Sequence, residues 1–330
     1  MLLMTKAILA MMIGFILSVL TGVLLIPALK KLKVNQSLSI YLKDAHRSKS
    51  HTPTMGGLIF ILPTLFTVTA LVTTDRMQVS YTLVIVLLAF LGYALIGFID
   101  DYLIILRQNN KGLTEGQKLL LQLMIAVIFF YLFMKAGNEP LIWIHTLNIR
   151  WNIGFFYGIF ILFLLLASSN AVNLTDGLDG LAGGLSLIAF LAFGLISFNT
   201  GWLEGYKDLG LFCFILIGCL LGFLVFNSSP AKVFMGDTGS LSLGATLGTI
   251  AILTRHELLL VVIGIVFVIE TMSCIIQRYY YKLTRKRLFP MAPIHHTFEK
   301  LGWKERDIVK LFWIIGLLGA MVALAFGVWF

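Results

Sequence analysis

AILAMMIGFILSVLTGVLLIPAL, residues 7–29, is an unbroken apolar run without a single charged side chain. About 20 such residues cross the hydrocarbon core of a bilayer as a helix. The run is continuous rather than alternating, which selects a helix over the strand of a membrane barrel. Only Lys6 precedes it in the basic register, and the run is too long for a signal-peptide core and lacks a clear small-residue cleavage site. It reads as a retained first span. Nine further runs follow at 55–73, 81–99, 118–134, 153–168, 181–198, 209–226, 239–253, 258–279 and 309–329. The expected fold is therefore an all-α polytopic membrane protein of about ten transmembrane helices, with residues 1–330 forming one integral-membrane domain.

Composition agrees. Hydrophobic residues make up 59% of the 330 and charged residues 12%, against about 45–50% and about 25% in soluble domains. Mean hydropathy is +0.94. These values exclude a soluble enzyme, a disordered chain and a coiled coil. Cys213, Cys219 and Cys274 all lie in apolar runs without a CxxC pair, so neither a disulfide framework nor a cysteine zinc site is expected.

The formal charge of +9 is unevenly placed. Ten spans sort the connections into two sets. Loops 30–54, 100–117, 169–180, 227–238 and 280–308, with their flanking helix ends, hold 19 of the 25 Lys and Arg. The other set, with the N-terminus, holds Lys6, Arg76, Lys135, Arg150, Lys207 and Arg255. The positive-inside rule makes the first set cytoplasmic and puts both termini on the extracytoplasmic side. The basic excess thus signals membrane orientation rather than nucleic-acid binding.

The same cytoplasmic loops carry nearly all the chemistry-bearing residues. Asp100 and Asp101 end an apolar run, where adjacent carboxylates repel and require a cation or donors. In NAVNLTDGLDGLAGG, Asn170, Asn173, Asp176 and Asp179 are spaced by three and would line one face of a helix or turn. Their oxygens suit either a hard cation such as Mg²⁺ or the polar groups of a nucleoside. Asp237 lies between Gly236 and Thr238-Gly239, either as a helix cap or as a metal ligand beside a phosphate-holding turn. Phe234 is placed to stack on a base. His295 and His296 follow a basic run, Lys282–Arg287, whose default role is orientation and contact with anionic headgroups. Lys49 and His51 are candidate phosphate contacts. Glu270 is an intramembrane carboxylate, either functional or paired with Arg278 or another base. Asp residues for a divalent cation, scattered Lys and His, and glycine-rich turns at a bilayer face fit phosphoryl transfer between a soluble nucleotide and a lipid.

PTMGG (53–57), GFIDDY (97–102), NAVNLTDGLDGLAGG (170–184), FMGDTGSLSLG (234–244) and APIHHTFEKLGW (292–303) occur in this order. They resemble the motifs of the bacterial phospho-N-acetylmuramoyl-pentapeptide-transferase family, within the polyprenyl-phosphate N-acetylhexosamine-1-phosphate transferases. The resemblance implies a Mg²⁺-dependent enzyme of peptidoglycan synthesis in the bacterial cytoplasmic membrane. It would transfer phospho-MurNAc-pentapeptide from UDP-MurNAc-pentapeptide to undecaprenyl phosphate, giving lipid I and UMP. It also implies a homodimer.

By the same resemblance, Asp100 and Asp101 match the family's aspartate pair, with Asp100 deprotonating or orienting the lipid phosphate. Asp237 matches the Mg²⁺ ligand, with Asp100 and Asp101 nearby as further metal candidates. Asp176, Gly177, Leu178 and Asp179 match the nucleoside-side loop, and Asn227, Phe234 and Lys49 are expected near the nucleotide; Asn170 and Asn173, by their spacing, are expected to join this loop as substrate contacts. His295 and His296 match the first two of a histidine run. Two positions depart from the family pattern. Thr297 stands where a third His is common, and Ile104 where a Lys usually follows the aspartates; Lys111 and Lys118 remain as basic residues of that loop. Direct attack by the lipid phosphate is expected over a covalent aspartyl intermediate. The alternatives are a sister enzyme transferring GlcNAc-1-phosphate and, more distantly, a secondary transporter.

Overall fold

The computed structural model describes residues 3–31, 52–107, 112–144 and 149–327. Helices α1 (Leu3–Lys31), α2 (Leu58–Thr73), α3 (Tyr81–Arg107) and α4 (Glu115–Lys135) come first. A hairpin of β1 (Leu141–Ile144) and β2 (Ile149–Asn152) follows. Then come α5 (Phe156–Thr175), α6 (Leu181–Asn199), α7 (Tyr206–Asn227), α8 (Gly236–Leu253), α9 (Leu259–Ile263), α10 (Ile265–Thr284), α11 (Ile294–Lys300) and α12 (Glu305–Gly327). Seven of these, α1, α3, α4, α5, α6, α7 and α12, are long and apolar enough to cross a membrane. The protein is a helical, multi-pass membrane protein.

Among the described residues each apolar run falls mostly on helix, with one correction. The ninth, 258–279, is two helices, α9 and α10, separated at Gly264, whose φ of −94° and ψ of 24° leave the α-helical region. Two elements escaped the sequence reading. One is α11, inside what reads as a loop. The other is the antiparallel hairpin, which pairs Leu141 with Asn152 and Trp143 with Arg150.

Two central helices organise the rest. In α7 nearly every residue from Leu209 to Phe223 is buried, and in α8 every residue from Thr238 to Leu253. Burial on every side, with serine and threonine hydroxyls enclosed in α8, makes these two helices the interior of the bundle. Helix α1 lies along α7 through the stripe Ala7, Ala10, Gly14, Ser18 and Gly22, all buried. Such small residues let two backbones approach where no hydrophobic effect drives association. Ser18 donates its hydroxyl to the carbonyls of Cys219 (2.7 Å) and Ile59 (3.0 Å), tying α1 to both α7 and α2. On α8, Ser242 donates to the Phe90 carbonyl of α3 at 2.7 Å, while α5 covers the opposite side.

The 18 residues of α8 span about 27 Å, so its two ends lie at opposite ends of the bundle. Beyond the C-terminal end, Arg255 donates to the Leu141 carbonyl of the hairpin (3.0 Å) and to the Tyr157 hydroxyl (3.2 Å). That hydroxyl in turn donates to Glu257. Burial pushes the Glu257 carboxyl up to about 7, against the opposing effects of the Tyr157 hydrogen bond, its backbone N–H and Arg255. Its folded pKa therefore exceeds the unfolded value of 4.5, and the native state holds the proton longer. The associated stability is complete below about pH 4.5 and is lost as pH rises through about 7. Glu257→Gln removes this titration. Thermal unfolding in detergent should show the wild type losing ground to the variant between those pH values, by at most about 3 kcal/mol. Parallel pH profiles would contradict this.

Candidate active site

At the other end of α8, its N-terminus meets the last turns of α3. Asp101, buried, accepts from the backbone N–H of Asp237 (3.2 Å) and Thr238 (3.0 Å) and from the Thr238 hydroxyl (2.7 Å). These are first-turn donors that no intrahelical carbonyl can satisfy, and a carboxylate at a helix N-terminus is favoured by both hydrogen bonding and the helix dipole. Gly97, one turn before Asp101, makes the approach possible, since a Cβ there would stand 2.1 Å from the Asp237 carbonyl oxygen.

Asp100, also buried, faces another neighbour. Its Oδ1 accepts the Leu113 N–H at 2.6 Å, and its Oδ2 lies 2.8 Å from Lys118 Nζ. The same ammonium lies 2.9 Å from Asp237 Oδ2. Lys118 is held there by the start of α4, where Thr114 and Gln117 form a reciprocal capping box. Asn173 donates to Asp237 Oδ1 at 2.8 Å and to Ser240 Oγ at 2.9 Å. Side chains of α3, α4, α5 and α8 thus converge on one point, and Lys118 and Asp237 there remain partly exposed.

The spacing of three in 170–179 proves to be less regular than the sequence suggests. Three residues fall short of the helical repeat, so the direction drifts by about 60° at each step. Moreover, α5 ends at Thr175. Asn173 consequently reaches Asp237, and Asp176 stands at the helix end. Asn170 is instead exposed, with its amide donating to the Leu166 carbonyl. Asp179 lies in the following turn, where Oδ2 accepts the Ala231 N–H (2.9 Å) and its own N–H donates to Glu305 (2.7 Å). Asn227 is buried and joins the same loops, accepting from Gly180 N–H and donating to the Val233 carbonyl. Leu178 is buried beneath them and Phe234 is partly exposed. Lys49, His51 and Lys111 lie outside the described residues.

Gly177 sits against the histidines, for a Cβ there would be 2.3 Å from His295 Nε2. His295 is fully buried, with Nδ1 3.1 Å from Glu270 Oε2. The intramembrane carboxylate therefore pairs with His295 rather than with Arg278. His296 Nδ1 lies 2.6 Å from Glu299. PTMGG serves as more than the start of the second helix. Its Gly56 and Gly57 N–H groups donate to the carbonyls of Phe234 and Met235, and Phe234 N–H donates to the Pro53 carbonyl. Thr238, Ser240 and Glu305 are bracing residues that no local pattern announced.

Burial pushes the Asp176 carboxyl well above the usual carboxylate range, and the charges of Asp237, Asp101 and Asp179 push the same way. The site is therefore rich in negative charge. Among the described residues no group of three or more His, Cys, Asp or Glu is preformed around a metal position. Even so, Asp100 and Asp237 already hold one cationic group in common, and they are hard oxygen donors of the kind Mg²⁺ takes. The residues fit such an ion, with the Lys118 ammonium as its stand-in.

Paired carboxylates gathered at one end of a helical bundle suit a transferase of phosphorylated substrates, and comparison with known proteins gives the same class. Residues 83–255 match glycosyl transferase family 4. Residues 49–61 match signature 1 of the phospho-N-acetylmuramoyl-pentapeptide-transferases. Curated relatives bearing that name include those of Geobacillus sp. (strain WCH70), 45% identical over 98% of each chain, and Bacillus subtilis (strain 168), 46% identical over 96% of this chain and 97% of the relative. Another, from Staphylococcus aureus (strain Newman), is 46% identical over 98% of each. The chain belongs to the phospho-N-acetylmuramoyl-pentapeptide-transferase family.

If Lys118 neutralises the two carboxylates until a metal takes its place, Lys118→Met should unmask their repulsion. In chelator the variant's thermal midpoint should fall by about 5 °C, and Mg²⁺ should raise it more than it raises the wild type's. Equal Mg²⁺ gains in the two proteins would contradict that role.

Proposed function

We propose that the protein transfers the phospho-MurNAc-pentapeptide unit of UDP-MurNAc-pentapeptide to undecaprenyl phosphate, forming lipid I and releasing UMP. One observation supports this chemistry above the others: Asp100 and Asp237, from different helices, share a single ammonium at 2.8 and 2.9 Å. Carboxylates so arranged can hold a divalent ion and a phosphate in one place.

Asp237 and Asp100 would hold Mg²⁺, while Asp101 keeps the start of α8 in position. When bound, that ion neutralises phosphate charge and polarises the phosphoryl group under attack. Asp100, oriented by the Leu113 N–H, accepts or directs the proton of the lipid phosphate. An oxygen of that phosphate then forms a bond to the β-phosphorus of the donor, and the bond from that phosphorus to the bridging oxygen breaks, so UMP leaves with the α-phosphate. Lys118, released from the two carboxylates when the ion binds, is left as a positive charge at the edge of the site for the phosphate groups. The loop Asp176–Asp179, with Phe234, Asn173 and Lys49, receives the nucleotide, and Asp179 and Asn227 hold that loop in shape. His295 and His296 close the site from α11. An apolar groove of about 540 Å³ between α5, α8, α9 and α10, with Asn170 on its wall, offers a path for the acceptor's hydrocarbon chain.

In the cell the site faces the cytoplasm across a bacterial inner membrane. The chain crosses it about ten times, with both termini outside, as one catalytic domain that pairs as a homodimer. The charge asymmetry of the loops supports this orientation. UMP release tests the reaction. It should require UDP-MurNAc-pentapeptide, undecaprenyl phosphate and Mg²⁺, and should fall at least about 100-fold in Asp237→Ala. Lipid product from UDP-GlcNAc alone, or undiminished turnover in the variant, would contradict the proposal.

A further inference from the structure

A second charged surface lies beyond the carboxylates, at the end of α10. Every residue from Arg278 to Leu288 is exposed. The stretch carries Arg278, Lys282, Arg285, Lys286 and Arg287, and no acidic residue stands anywhere between Glu270 and Glu299. Large apolar groups are interleaved with these bases: Tyr279, Tyr281 and Leu288 are exposed, and Leu283 is 84% exposed. A helix end of this composition is poorly suited to bulk water. It suits the membrane interface, where aromatic rings and leucines enter the acyl boundary and basic side chains reach the headgroups.

Within this surface lies a concavity of about 430 Å³, lined by Gln277, Arg278, Tyr281, Arg287, Met291 and Lys300 among others. Gln277 builds its wall. Its side-chain oxygen accepts the N–H groups of Leu288 (3.0 Å) and Phe289 (2.9 Å), and its amide donates to the Phe289 carbonyl (3.1 Å). The chain is thereby folded back after α10, so Arg287 and, from α11, Lys300 line the same hollow as Arg278. Arg287 also donates to the Pro290 carbonyl at 3.4 Å. Among the described residues no carboxylate is paired with any of the three cations.

We propose that this hollow is a binding site for the headgroup of an anionic phospholipid of the adjoining leaflet. Guanidinium groups match phosphate oxygens in a planar, two-pronged geometry, and Lys300 adds a point charge. Exposed Tyr279, Tyr281, Leu283 and Leu288 favour a lipid over a soluble anion, since they give the attached acyl chains an apolar contact. The occupied hollow would join the end of α10 to α11, the helix that carries His295 and His296.

The test uses the full chain in mixed micelles with a photo-crosslinkable phosphatidylglycerol. Peptide mapping should place the label within residues 277–300. Excess phosphatidylglycerol should compete, whereas phosphatidylcholine and millimolar inorganic phosphate should not. Labelling should fall at least about fivefold in the triple variant Arg278→Gln, Arg287→Gln, Lys300→Gln. It should fall clearly less in Arg278→Lys, Arg287→Lys, which keeps the charge but not the two-pronged geometry. UMP release in phosphatidylcholine should stay within about twofold of wild type in both variants. Unchanged labelling in the triple variant, equal loss in the lysine variant, or competition by phosphatidylcholine would overturn the proposal. Displacement by inorganic phosphate would make this a soluble-anion site. A raised KM for the nucleotide donor with labelling intact would assign the hollow to the donor's peptide carboxylates.

Discussion

A buried carboxylate is tolerated in an apolar bundle only where donors meet it. Asp101 meets three, all from the first turn of α8. Moving α8 away from α3 would strand a charge in a medium that cannot solvate it, at a cost of several kcal/mol. The contact therefore fixes the register of the two helices. Asp100, the next residue along α3, points about 100° away around the helix. It is left to share Lys118 with Asp237. Adjacent aspartates that seem bound to repel thus divide into one that holds the helix and one that shares Lys118 with Asp237.

The remaining polar groups of this end act through the same logic. Asp179, Asn227 and Glu305 satisfy backbone N–H groups of the loops around the site, and the 53–57 segment hydrogen-bonds to the loop preceding Asp237. Positioning of this kind is what phosphoryl transfer demands, because its catalysis consists mostly of alignment and charge neutralisation. At the far end of α8, the Arg255, Tyr157 and Glu257 network and the hairpin close the bundle without touching this chemistry.

Much of this was legible in the residues. Long apolar runs have few alternatives to helices, so among the described residues they fall mostly on helix, and the clustering of Asp, Asn and His in particular connections pointed to the same end of the bundle. What was less legible depended on distance in sequence. Nothing near Asp179 announces Glu305, and nothing near Glu270 announces His295. The break at Gly264 was hidden because apolar residues continue on both sides of it. The hairpin has strands of only four residues, too short for alternation to stand out. A spacing of three drifts around a real helix, so Asn173 reaches Asp237 while Asn170 is exposed and bonds to the Leu166 carbonyl.

The proposed function requires Asp100 and Asp237 to bind one cation together, in the place that Lys118 marks. Manganese affinity, read by electron paramagnetic resonance on the wild type, Asp100→Asn, Asp237→Asn and the double variant, tests it most directly. Each single change should weaken binding by at least about tenfold, and the double variant should lose much less than the product of the two. Losses that multiply independently, or affinity unaltered by either change, would contradict a shared site.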